Sequence, residues 1–324
     1  MPPPCRVAMV ALLLLTATPR AQQQRPQVLR SGVTAVPVFA SVTNREGEPV
    51  QGLEREAFQV FDDGRPVDIA LFARGTESIA IKVLLDDRKR MDAHDARARV
   101  SAESIIGGLR LQDRAGIATF HRSGSPFTGD PDHLLAALSM TLSSPRKPNS
   151  DDSVAWRNGM FEAIARFDNT GPPLYSLWTI PKAAESAQVA AASIRAIVVL
   201  SSGMDYIAPG FQPQYWVKKD EVIERIVREG YVVVGVGFEG ISDDKDLKAL
   251  ADKSGGWFLH PRRDTDLPAE MAKILRNLQH RYLLAFVPAA NDGRDHRIEV
   301  RVKRPDVVVR ARSSYQAPPP SGGY

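Results

Sequence analysis

Cysteine is almost absent from this sequence: Cys5 is the only one among 324 residues. It precedes a short apolar run, Val7 to Leu15, so neither a disulfide framework nor a cysteine-ligated metal centre is expected in the folded part of the chain. Aromatic residues make up 7%, and no groove of interleaved basic and aromatic residues stands out, so nucleic acid is not an expected partner. Long hydrophobic runs are missing as well. Val7 to Leu15 falls short of the roughly 20 apolar residues that a membrane-spanning helix needs. The six histidines, His94, His121, His133, His260, His280 and His296, are scattered, and none belongs to an H-E-x-x-H pattern. No G-x-S-x-G elbow marks a nucleophilic serine. No enzyme activity is expected.

What is present begins with "MPPPCRVAMVALLLLTATPRAQQQ", in which Arg6 precedes the apolar run and small residues follow it. That is the pattern of a cleaved export signal, expected to span 1–21 and to end after Ala21. The product is expected to be exported, either to the periplasm or outside the cell. Without Arg6 and Arg20 the 42 basic residues become 40 against 38 acidic ones, a net charge of about +2, too small for long-range attraction to anionic surfaces. At 43% apolar residues, the chain can bury a full core.

Two strand-rich ends flank a different middle. From Gln27 to Phe72, and again from Tyr282 to Ser313, short runs alternate apolar and polar residues between turn signals such as Asp62 to Gly64 and Asn291 to Gly293. An N-terminal β unit over 22–75 and C-terminal strands over 282–316 are expected to pack as one small sandwich, with 317–324 as a flexible tail. Between them, five strongly apolar runs read as strands covered on both faces: Ser78 to Leu85, Ala115 to Phe120, Ile194 to Leu200, Tyr231 to Phe238 and Gly256 to Leu259. Helical patterns separate these runs. One begins at Asp92, an N-cap-like residue, and Gly230 and Gly255 stand where two others should stop. Strand and helix in alternation predict an α/β fold, a doubly wound and mostly parallel sheet with helices on both faces. Ligands of such sheets sit at the carboxyl ends of the strands. Linkers are expected at Leu142 to Asp152 and Gly171 to Ser186. Gly235, Gly237 and Gly240 spell a G-x-G-x-x-G run, but Asp243 and Asp244 open the next helix and would repel a phosphate, so these glycines read as structural.

The order of the blocks "FQVFDDGRPVDIALF", "IKVLLDD", "DRAGIATF", "FTGDPDHLLAAL", "RAIVVLSSG", "LADKSGGWFLHP", "LQHRYLLAFVP" and "VVVRARSSY" resembles the bacterial von Willebrand factor A-related family best known from Acidobacteria. The resemblance runs from about Val36 to Tyr315 and implies a von Willebrand A-type domain over 76–281. It also implies a metal-ion-dependent adhesion site at the upper edge of the sheet, built from D-x-S-x-S, a later Thr and a later Asp. Hard divalent cations take such oxygen ligands and can leave one position open for a partner's carboxylate.

Carried onto this chain, the first Asp is Asp86, the two Ser positions are Arg88 and Arg90, the Thr position is Asn158 and the later Asp is Ser202. Both arginines are donors with no acceptor and stay charged. Two unit charges 4 Å apart interact by about 4 kcal/mol at an effective dielectric near 20, so a guanidinium here would repel a divalent ion. The expectation is a degenerate adhesion site at Asp86, Asp87, Arg88, Arg90, Asn158, Ser202 and Asp205, with no resident cofactor. The metal alternative is a rearranged site at Asp86, Asp87 and Asp205 that holds Mg²⁺ or Ca²⁺ weakly. Either Arg88 or Arg90 could replace the ion by pairing with Asp86 or Asp87, or all the basic residues could point into solvent. The functional expectation is a non-enzymatic interaction module for a protein or surface ligand, with an acidic one favoured by the cations. The alternative is a structural component of an envelope complex whose altered edge is inert.

Overall fold

The computed structural model describes residues 35–75, 78–122, 124–146, 194–201, 219–238, 245–261 and 266–318, together with Met160 and Ala163. The expected export signal, the linker at Gly171 to Ser186, most of the tail, and Asn158, Ser202, Asp205 and Gly240 lie outside the described residues.

The central sheet has five parallel strands: β5 (Ile79–Leu85), β6 (Arg114–Thr119), β7 (Ile194–Ser201), β8 (Val232–Gly237) and β9 (Trp257–Leu259), in the order β6-β5-β7-β8-β9. All seven residues of β5 are buried, as a strand covered on both faces requires. Its period-2 alternation divides them between two cores. Ile79, Ile81, Val83 and Leu85 pack with helices α1 (Asp95–Gly107), α2 (Pro131–Leu142) and α5 (Leu267–Gln279). On the other face Ala80 and Leu84 pack with Val222, Ile223, Ile226 and Val227 of α3 (Lys219–Arg228) and with Leu250 of α4 (Lys245–Lys253). Lys82 shares that second face, its ammonium 4.0 Å from the centre of the Phe127 ring. This is the doubly wound α/β architecture that strand and helix alternation predicts. Gly235 is structural here, since a Cβ at that position would lie 2.7 Å from Leu247 and 2.9 Å from Phe258. Among the described residues no helix is long and apolar enough to cross a membrane.

One helix start departs from expectation. Asp92 does not cap α1. Lys89–His94 forms a tight 3₁₀ turn first, and α1 begins only at Asp95. Arg88 is held at the strand end and its carbonyl accepts from Met91 N–H at 2.9 Å, which closes a shorter turn, while Asp92 instead pairs with Arg146 at 3.4 Å.

The chain ends form two four-stranded antiparallel sheets. The first has the order β12-β1-β10-β4, from β12 (Val308–Arg310), β1 (Val36–Thr43), β10 (Tyr282–Phe286) and β4 (Ile69–Arg74). The second has the order β13-β11-β2-β3, from β13 (Ser314–Gln316), β11 (Asp295–Val302), β2 (Phe58–Asp62) and β3 (Arg65–Val67). Inward residues of both sheets share one apolar cluster that includes Val38, Val60, Leu284, Phe286, Ile298 and Tyr315, so the two ends make a β-sandwich. The β2–β3 hairpin turns at Asp63 and Gly64, with φ of 47° and 78°, the left-handed pair that a two-residue hairpin asks for.

Candidate functional site at the strand ends

Strand register assembles the upper edge. Leu85 lies opposite Thr119 on β6 and Leu200 on β7, so the residues that end or follow these three strands meet. Asp86 prolongs β5 by one step, its N–H donating to the Leu200 carbonyl at 2.9 Å. Arg88 then leaves the strand in an extended conformation, φ −83° and ψ 154°. Its guanidinium folds back on Asp86: Nε donates to Oδ1 at 2.7 Å and Nη2 to Oδ2 at 2.6 Å. The Arg88 backbone N–H adds a third bond to Oδ1 at 3.1 Å, and Ser201 Oγ donates to Oδ2 at 2.8 Å. Both members of the pair are 0% exposed. Arg88 also lies 5.5 Å from the centre of the Phe120 ring, and Arg146 Nη1 donates to the Asp86 carbonyl at 3.0 Å.

These contacts decide how the site treats a cation. An ionised carboxylate has about four lone-pair sites, and Asp86 accepts four hydrogen bonds. A divalent ion at Asp86 would have to displace a forked, fully buried guanidinium, the strongest kind of charge-assisted bond. Among the described residues, the donors gathered on Asp86 do not fit a divalent metal at that carboxylate.

Asp87 faces a different set. Its Oδ2 accepts from Thr119 Oγ1 at 2.8 Å, its Oδ1 lies 2.5 Å from His121 Nδ1, and Arg122 Nε stands 3.9 Å away. Burial pushes the Asp87 carboxyl up, but the hydrogen bond and charge of His121 and the Thr119 hydroxyl outweigh it and hold the group below its ordinary value. The Thr119 hydroxyl is tied into the same network. It spends its proton on Asp87 and accepts from Arg122 N–H at 2.9 Å, so His121 is not placed as its base.

Of the residues expected at the edge, the structure brings Asp86, Asp87 and Arg88 together as a buried unit, with Arg90 half-buried and Lys89 exposed beside it. Asn158, Ser202 and Asp205 lie outside the described residues. Ser201, Thr119, His121 and Arg146 were not anticipated. The first three sit at or just after strand ends that pair with or neighbour β5, so the strand order would have pointed to them. Arg146 comes from a linker with no such signal.

No protein-family profile and no curated protein matches this chain. Several solved structures are similar in backbone course. A von Willebrand factor type A protein from Catenulispora acidiphila is 11% identical with a TM-score of 0.45, covering 90% of this chain and 76% of that one. Proximal thread matrix protein 1 from the mussel byssus is 11% identical with a TM-score of 0.44 over 66% of this chain, which spans about half (49%) of the mussel chain. The ArnB paralog VWA2 from Sulfolobus acidocaldarius is 11% identical with a TM-score of 0.39, covering 89% and 76% of the two chains. At such identities and TM-scores these likenesses do not bear on the chemistry of the edge.

Proposed function

We propose that this chain is an exported, non-enzymatic protein-interaction module of the von Willebrand A-related kind, whose strand-end edge works without a bridging metal. The observation that carries the reading is the Asp86–Arg88 pair, in which an internal cation takes up the carboxylate that would otherwise hold an ion. Because Asp86, Asp87 and Arg88 are buried, contact with a partner falls to the rim around them. Lys89 is exposed there, with Arg90 and Arg122 half-buried, which suits an acidic protein or surface ligand. The sandwich of the chain ends serves as a rigid base for these loops. The sequence patterns behind export and family are the N-terminal apolar run and the ordered blocks from Val36 to Tyr315.

The test is capture of partners from the envelope and medium fractions of the source cells, with the chain immobilised in chelator and again in Mg²⁺. Equal capture in both, lost in a Lys89→Glu/Arg122→Glu variant, is the expected result. Capture that requires Mg²⁺ would contradict it. The burial of the Asp86–Asp87–Arg88 unit also favours a second reading, a structural component of an envelope assembly whose upper edge is inert. Capture that is unchanged in the charge-reversed variant would select that reading.

A further inference from the structure

A second cluster lies far from the strand ends, on the sandwich, where β2, the Asp63–Gly64 turn and β11 meet. We propose that Asp62, Asp63 and His296 form a binding site for a divalent transition-metal ion of the zinc class. Their ligand atoms lie within 4.8 Å of one another. His296 Nδ1 stands 2.8 Å from Asp63 Oδ2 and 3.8 Å from Asp62 Oδ1. One imidazole with two carboxylates is a donor set that suits zinc, and three protein ligands leave a position open for water or a partner's group.

The observation that separates this cluster from an ordinary acidic patch is Asp62. Its side chain is 6% exposed, and among the described residues its Oδ1 makes no hydrogen bond although it is buried. That oxygen points at His296. Leaving such an acceptor unsatisfied costs on the order of 1–3 kcal/mol, so it calls for a counterpart.

Each ligand is also held by its other polar atom. Tyr315 Oη donates to Asp62 Oδ2 at 3.0 Å, the Arg297 backbone N–H donates to Asp63 Oδ1 at 2.9 Å, and His296 Nε2 lies 3.0 Å from Asp292 Oδ1. These three outer contacts leave Asp62 Oδ1, Asp63 Oδ2 and His296 Nδ1 as the atoms that gather together, His296 Nδ1 lying 3.8 and 2.8 Å from the two oxygens. A carboxylate on the far nitrogen of a metal-binding histidine fixes the tautomer that presents the near nitrogen as a lone pair. Asp292 is therefore a positioning residue, as are Tyr315 and the Arg297 amide. Asp63 is more than half exposed, which gives an ion a way in.

In the metal-free chain both imidazole nitrogens face carboxylates. Binding takes His296 Nδ1 as a lone pair, so any proton on it leaves to solvent as the metal–nitrogen bond forms.

The experiment uses the full chain, stripped with chelator and dialysed. Zn²⁺ is titrated calorimetrically at pH 6 and pH 8, and Co²⁺ is added separately as an absorption probe. Expected are one equivalent of Zn²⁺, weaker affinity at pH 6 than at pH 8, and a Co²⁺ visible spectrum of low coordination number. His296→Gln should weaken Zn²⁺ at least a hundredfold and Asp292→Asn about tenfold, with His133→Ala unchanged. Because Asp62 substitutions could unfold the sandwich, Asp63→Asn serves as the second ligand variant, checked for a native circular dichroism spectrum. Absence of saturable Zn²⁺ binding by the wild type, or binding indifferent to His296→Gln and Asp63→Asn, would overturn the site.

Discussion

Replacing Arg88 by Met tests what the buried pair does for the fold. Met matches much of the arginine stem but removes the two guanidinium bonds to Asp86, leaving the carboxylate, among the described residues, with Ser201 Oγ and the residue-88 amide. Breaking a buried ion pair by deleting one partner costs about 3–5 kcal/mol, and the two surviving bonds put this case near the lower end. For a chain of this size about 3 kcal/mol corresponds to a fall in Tm of roughly 4–5 °C. Removing both charges, in Asp86→Leu/Arg88→Met, should cost less than the sum of the single changes by about 2 kcal/mol or more, because no charge is then stranded. Arg88→Lys should fall in between, since an ammonium cannot fork onto two carboxylate oxygens. Urea unfolding followed by circular dichroism at pH 7 measures Arg88→Met, Asp86→Leu, the double variant and Arg88→Lys. A loss below about 1 kcal/mol for Arg88→Met, the value of an exposed pair, would refute the reasoning.

The fold and the remaining charges give three further expectations. Gly255→Ala should destabilise by more than about 2 kcal/mol, since φ is +73° and the new Cβ would sit 2.4 Å from Ala311 C, whereas Gly230→Ala meets only the tip of Arg312 at 3.4 Å and should cost about 1–2 kcal/mol; equal losses on thermal melting would contradict this. Asp113 is pushed up by burial but held below the ordinary carboxylate range by Arg110 and the amides of Arg110 and Ile79. Its stabilisation is therefore present above the unfolded-state value and lost as pH falls through the folded one, so melting curves from pH 5 down to pH 2 should drop more steeply for the wild type than for Asp113→Asn. In His121→Ala, burial should dominate at Asp87 and move its titration to higher pH, which carbon-13 NMR of the carboxyl group would show; an unmoved titration would mean that His121 does not hold it down.

The central sheet was legible because its strands are buried on both faces, which writes them as apolar runs: Ser78 to Leu85 was read and Ile79–Leu85 is found. The pairing of the chain ends was legible from shared alternation and turn signals. Helix starts were less so, since nothing local shows that Arg88 would be pinned to Asp86 and tighten the next turn, which shifts α1 from Asp92 to Asp95. At the edge, the identity of Asp86 and the intrusion of cations could be read. The choice of Arg88 over Arg90 could not, because it depends on the extended backbone at Arg88 and on a 3₁₀ turn that carries Arg90 elsewhere. Thr119 and His121 were hidden because strand order, not spacing, brings them to Asp87. The Asp62–Asp63–His296 cluster joins residues more than 230 positions apart through the pairing of β2 with β11, a relation that no one-dimensional period contains.

The most direct test of the central claim is a crystal structure of the chain grown in Mn²⁺, with anomalous scattering to locate the ion. The expected map shows the Arg88 guanidinium forked on Asp86 and no manganese peak at the strand-end edge, whatever is found at His296. A manganese ion ligated by Asp86, with Arg88 swung away, would contradict it.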